Sequence, residues 1–178
     1  MPDDVKLCVE ILDKAIKFEE TGVAFFKERA EAAPSQLERN LFQSLAKDEI
    51  GHRAHLMRMR DDLLRTNDVA ASLVPEEDHE HRSAREIFEQ AMAAVTDPYQ
   101  AGNDELEIIK GAMEVERKGH AMYTAAVEKV ASPQAKTIFR HLAQEEQEHY
   151  RLLKNTHDYL ADPADWHGFD EQPMLDGG

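Results

Sequence analysis

Residues 18 to 56 recur without a gap 97 positions further along the chain, and this duplication limits the fold more than any other feature of the sequence. The shift carries Glu19 onto Glu116, Gly22 onto Gly119, Phe42 onto Phe139, Glu49 onto Glu146 and His52 onto His149. In both copies apolar residues return at alternating steps of three and four, the spacing of one buried helical face. The first such seam runs Val5, Cys8 or Val9, Leu12, Ile16, Glu19, Val23, Phe26, Ala30. The second runs Phe42, Leu45, Glu49, His52, Leu56, Met59, Leu63. The third runs Leu106, Ile109, Met113, Glu116, His120, Tyr123, Val127, Val130, and the fourth Ala135, Phe139, Leu142, Glu146, His149, Leu153, Thr156, Leu160. Two similar helical hairpins follow, and four stripes of this width bury one another as an all-α, antiparallel four-helix bundle.

The helix punctuation agrees. Asp4 caps a first helix reaching about Ala33, and Ser35 with Glu38 forms a capping box for a second that runs to about Arg65. Residues 66 to 82 are polar, contain Pro75 and read as loop, and Ser83 with Glu86 opens a short extra helix to about Thr96. Asp104 with Glu107 opens the third long helix, ending near Ala131. Ser132 caps the fourth, with Pro133 at its first position, where a missing N–H costs nothing. The bundle thus covers residues 1–162, with a crossover at 66–103 long enough for the second and third helices to run parallel. An irregular tail occupies 163–178, with Trp166 and Phe169 expected to pin part of it against the bundle.

Each seam is apolar except near its middle, where the four helices carry Glu19, then Glu49 and His52, then Glu116 with His120, then Glu146 and His149. A buried carboxylate without a partner is costly, and these seams offer no Lys or Arg to pair with it. Two divalent cations would balance four carboxylates, with the histidines as neutral ligands. Glu and His three residues apart share one helix face and reach one site. A carboxylate-rich set with one imidazole per metal suits iron, or manganese, better than an ion that prefers thiolates. About one ExxH is expected by chance at this content of Glu and His, and three occur. Glu76–His79, in the crossover, has no seam around it and is assigned to chance. The other two are repeat partners, each on a seam and each preceded by a helix bearing a Glu.

The stretches FEETGVAFF with LAKDEIGH, and MEVERKGHAMY with LAQEEQEH, resemble the rubrerythrin branch of the ferritin-like superfamily. The resemblance implies a ferritin-like bundle holding two iron ions per chain, with manganese or zinc as alternatives, that reacts with peroxide or oxygen. It implies that Glu49 and Glu146 bridge or chelate, that Glu19 and Glu116 are terminal, and that His52 and His149 each ligate one metal. The family's Tyr seven residues after the third-helix Glu is kept as Tyr123, expected to donate a hydrogen bond just outside the ligands. Three departures stand out. Cys8 is the only cysteine, so no rubredoxin domain is expected within these residues and electrons are expected from an external donor such as a rubredoxin-like protein. The additional third-helix Glu of rubrerythrins is Gly119, which makes the ligand set more symmetric. The haem-binding Met of bacterioferritin is Ile50, so no haem is expected. His120, one turn beyond Glu116, is either a further ligand or a neutral core histidine.

The remaining features exclude more than they assign. A formal charge of −15 argues against nucleic-acid binding, which needs clustered Lys and Arg. No apolar run approaches a membrane span, and the acidic start MPDDVKL has no signal-peptide core. A cytoplasmic protein with oxidoreductase activity, able to form a homodimer, is the expectation. Ferroxidase or iron handling, and metal binding without turnover, are the alternatives.

Overall fold

The computed structural model describes residues 2–73, 83–93, 95 and 99–170. Among them are six helices and no strand: α1 (Asp3–Ala32), α2 (Gln36–Thr66), α3 (Val69–Ser72), α4 (Ala84–Met92), α5 (Asn103–Lys129) and α6 (Pro133–Ala161). The four long helices are those the seams predict. Ser35–Glu38 and Ser83–Glu86 both form reciprocal capping boxes, and Ser132 accepts the Ala135 N–H.

Two caps differ from expectation. α1 starts one residue before Asp4, behind Pro2, and Asp4 accepts the N–H of its neighbour Val5 instead. α5 starts at Asn103, where Glu105 reaches back to the Gly102 N–H at 2.6 Å, so Glu105 rather than Glu107 closes that end. The single-turn α3 lies in a segment whose polarity reads as loop. Asp68 induces it by accepting the N–H groups of Ala70 and Ala71. The expected end of the short helix at Thr96, and the Glu76–His79 pair, lie outside the described residues.

α1 packs along α2 and α5 along α6, each pair joined by a three-residue turn and therefore antiparallel. The core falls into two apolar clusters, one toward each end of the bundle. Leu12, Leu56, Leu63, Tyr123, Val127, Phe139 and Leu142 belong to one. Phe26, Leu37, Leu41, Phe42, Ile109, Leu153 and Leu160 belong to the other. α2 runs from the second cluster to the first, and α5 does the same, so these two helices are parallel. The crossover must return along the length of the bundle, with Val69 and Leu73 at one end and Ile87, Phe88 and Ala91 at the other. The two clusters are separated by the band of Glu and His.

The tail begins after α6, and its described part is pinned as expected. Trp166 and Phe169 pack on Phe88 with ring centroids 5.3 and 5.6 Å apart, and Asn155 holds the Asp170 backbone through its N–H and its carbonyl. Among the described residues no helix is long and apolar enough to cross a membrane.

Candidate metal centre

A helix returns to the same face every three to four residues, so a Glu or His in mid-seam must point where its apolar neighbours point. That rule places Glu19, Glu49, His52, Glu116, Glu146 and His149 in the interior, none more than 5% exposed. Their ligand atoms form two overlapping groups: Glu19, Glu49, His52 and Glu146, and then Glu49, Glu116, Glu146 and His149. Within each group one atom per residue lies within 4.8 Å of all the others. Glu49 and Glu146 belong to both groups. Each group draws on both hairpins.

The two imidazoles stack face to face across the centre, centroids 5.8 Å apart. Both present Nδ1 to the carboxylates: His52 lies 3.3 Å from Glu49, and His149 lies 3.3 Å from Glu49 and 3.6 Å from Glu116. Their Nε2 atoms face outward to a second pair of carboxylates, supplied by the opposite hairpin. His52 meets Glu145 at 3.2 Å and His149 meets Asp48 at 3.7 Å. Such contacts fix the ring orientation and tautomer. Glu145 also lies 3.6 Å from His141, which is half exposed. The position before each ExxH Glu is acidic in both copies, Asp48 and Glu145, so the repeat carries a signal for this outer pair as well.

Burial dominates the electrostatics. It pushes Glu19 well above the usual carboxylate range, helped by the neighbouring charge of Glu49, and does the same to Glu146, helped by Glu49 and Glu116. Burial opposes ionisation of Glu49 too, but the polar contacts with Glu19, His149 and His52 outweigh it and hold this carboxyl well below its usual range. Burial alone would lower both histidines. Contacts of His52 with Glu145 and Glu49, and the charge of Glu116 beside His149 together with Asp48, raise them instead. Glu145, despite its burial, is drawn down to about 2 by His52.

Whether the residues suit a pair of cations is decided by the polar atoms left over. Glu19 Oε2, both carboxylate oxygens of Glu116, both of Glu146 and Nδ1 of His149 are buried and have no hydrogen-bond partner. Among the described residues no Lys or Arg makes an ion pair with any of the four carboxylates. Native interiors leave very few such groups unmatched. Buried carboxylate oxygens converging with two imidazoles have the donor chemistry of a carboxylate-bridged metal pair.

Tyr123 is fully buried, and its hydroxyl donates to Glu19 across the two hairpins. Burial and the charges of Glu19 and Glu146 raise its pKa, so the phenol keeps its proton. Its repeat partner Phe26 has no such group, and the two halves differ there. His120 is partly buried, its pKa lowered by desolvation, and its ring belongs to neither group of converging atoms. Substituting His120→Val is expected to leave metal content unchanged. A fall in bound iron on metal analysis would return this imidazole to the ligand set. His55, on the flank of the second seam, is buried.

Comparison with curated proteins and with solved structures gave no significant match. The Rubrerythrin family model matches residues 10–157, and again residues 107–172, the second match taking in the whole second copy of the repeat. The longer match takes in all six converging side chains and both hairpins, and on it the chain belongs to the rubrerythrin family.

Proposed function

We propose that this chain is a di-iron oxidoreductase that reduces hydrogen peroxide to water with electrons from a separate donor protein. The observation that supports it most directly is the set of buried carboxylate oxygens on Glu19, Glu116 and Glu146 that lack a hydrogen-bond partner while facing two imidazoles. Glu49 and Glu146, present in both groups, would span the two metals. Glu19 with His52 would complete one ligand set, and Glu116 with His149 the other. A bound iron pair would supply the two electrons that split the O–O bond. The protein side of the reaction is then positional. Glu145 and Asp48 hold the rings of His52 and His149 by their outer nitrogens. Tyr123 fixes the orientation of Glu19 and keeps a proton at its hydroxyl, beside the cluster. The two apolar clusters on either side keep bulk water out. Cys8, buried and alone, offers no thiolate set for a second electron-carrying iron within these residues.

Anaerobic loading with iron(II), followed by rapid mixing with peroxide or with oxygen, tests the proposal. Iron oxidation by peroxide is expected to be at least ~10-fold faster than by oxygen. Faster reaction with oxygen, with release of iron(III) or growth of mineral, would assign the protein to iron handling. Metal uptake without oxidation by either would leave a binding protein.

A further inference from the structure

Three residues beyond the lone Glu of each hairpin stands a glycine, Gly22 after Glu19 and Gly119 after Glu116. Both sit in mid-helix, where glycine is unfavourable and no positive φ calls for it. Their surroundings differ. A β-carbon at Gly22 would meet the Glu49 side chain at 3.5 Å (Cγ) and 3.7 Å (Cδ), ordinary van der Waals contact. A β-carbon at Gly119 would lie 2.7 Å from Oε2 and 2.9 Å from Cδ of Glu146, and 2.9 Å from the ring edge of Phe18. Real side chains do not approach so closely. The Glu146 carboxylate therefore occupies the space a side chain at position 119 would fill, with Phe18 of α1 on the same space.

We propose that Gly119 is a positioning residue for Glu146, its missing side chain being the recess in which that carboxylate is held. The proposal rests on the reading of the cluster as a two-metal site, and it makes the two shared carboxylates unequal. Glu49 has slack above Gly22, whereas the Glu146 carboxylate closes directly on Gly119. Confinement leaves the carboxylate preorganised toward both groups of ligands, since Glu146 is common to them.

Cobalt(II) titration of the metal-free protein, followed by ligand-field absorption and by bound metal per chain, provides the test, with thermal melting of the metal-free forms alongside. Wild type is expected to bind about two ions per chain. Gly119→Ala is expected to bind the second ion at least ~10-fold more weakly and with a changed absorption band. Its metal-free form should melt no lower than wild type, because the carboxylate swings aside and alanine is the better helix former. Gly22→Ala should load like wild type within about twofold, the margin expected where a methyl meets ordinary contact distances. Wild-type loading by Gly119→Ala overturns the proposal and leaves the two-metal reading standing. Loss of the helical fold in Gly119→Ala also overturns it, since the methyl would then be resisted by packing rather than by the carboxylate. Recovery of loading on adding Phe18→Leu would assign the clash to the ring and overturn it as well. Failure of wild type itself to bind metal would remove the reading on which the proposal rests.

Discussion

Iron(II) is expected to raise the melting temperature of the metal-free protein by about 10 °C, and by more at pH 8 than at pH 5.5. A ligand that binds only the folded state at a thousand times its dissociation constant contributes about 4 kcal/mol, which for a chain of this size corresponds to a shift of roughly 8–16 °C. The pH dependence follows from the metal-free cluster. Glu19, Glu146, His52 and His149 all have folded-state pKa values above their ordinary ones. A raised value adds stability below the unfolded pKa and loses it as pH rises through the folded one. All four therefore weaken the metal-free protein on going from mildly acid to alkaline solution. Glu49 and Glu145 are lowered, so their contribution is present above the ordinary carboxylate value and is lost only in strong acid, for Glu145 around pH 2. Metal requires the deprotonated ligands and gains affinity as pH rises. The two melting curves should thus diverge with increasing pH. Calorimetry at both pH values, with and without metal, checks this; parallel curves would show that the carboxylates are not confined together.

Substituting both shared carboxylates, Glu49→Gln with Glu146→Gln, is expected to reduce bound iron from about two ions per chain to a small fraction of one. The change keeps volume and removes the two members that belong to both groups, so neither half retains a complete set. The metal-free Glu146→Gln single variant should melt at or above metal-free wild type at neutral pH, because burial and the charges of Glu49 and Glu116 oppose the ionisation of Glu146. Lost metal binding together with undiminished stability would separate a functional site from a structural one. Equal iron in variant and wild type, on metal analysis after reconstitution, would dismiss the ligand assignment.

The bundle and the convergence of the six side chains were legible because both follow from helical periodicity. Once Glu49 and His52 share a stripe with Leu45 and Leu56, burial of the stripe carries them inward. The parallel course of α2 and α5 was legible from the length of the crossover. What escaped depends on contacts across the hairpins or on single turns of chain. Asp48 lies outside the seam count, and its partner, His149, is remote in sequence. The start of α5 went to Glu105 because the capping pattern fits Asp104–Glu107 and Gly102–Glu105 alike, and only tertiary placement chooses between them. α3 depends on one side chain, Asp68, in a segment whose composition says loop. Gly119 was visible as a departure from a family pattern, but its closeness to Glu146 is a matter of tenths of an ångström, which no spacing rule reports.

Asp48 reaching for His149 while Glu145 reaches for His52 is the exchange that two separate, identical hairpins would make about a two-fold axis. Such a dimer would have to repeat every residue on both sides of its axis, so a phenol introduced beside one metal would appear beside the other. Joining the halves through residues 67–102 lifts that obligation. The chain sets Phe18 opposite Val115, Val23 opposite His120 and Phe26 opposite Tyr123, and none of these differences has a mirror image. A cradle built with the economy of symmetry has thereby acquired a polarity, and a single substitution can act on one of its halves while the other is held constant.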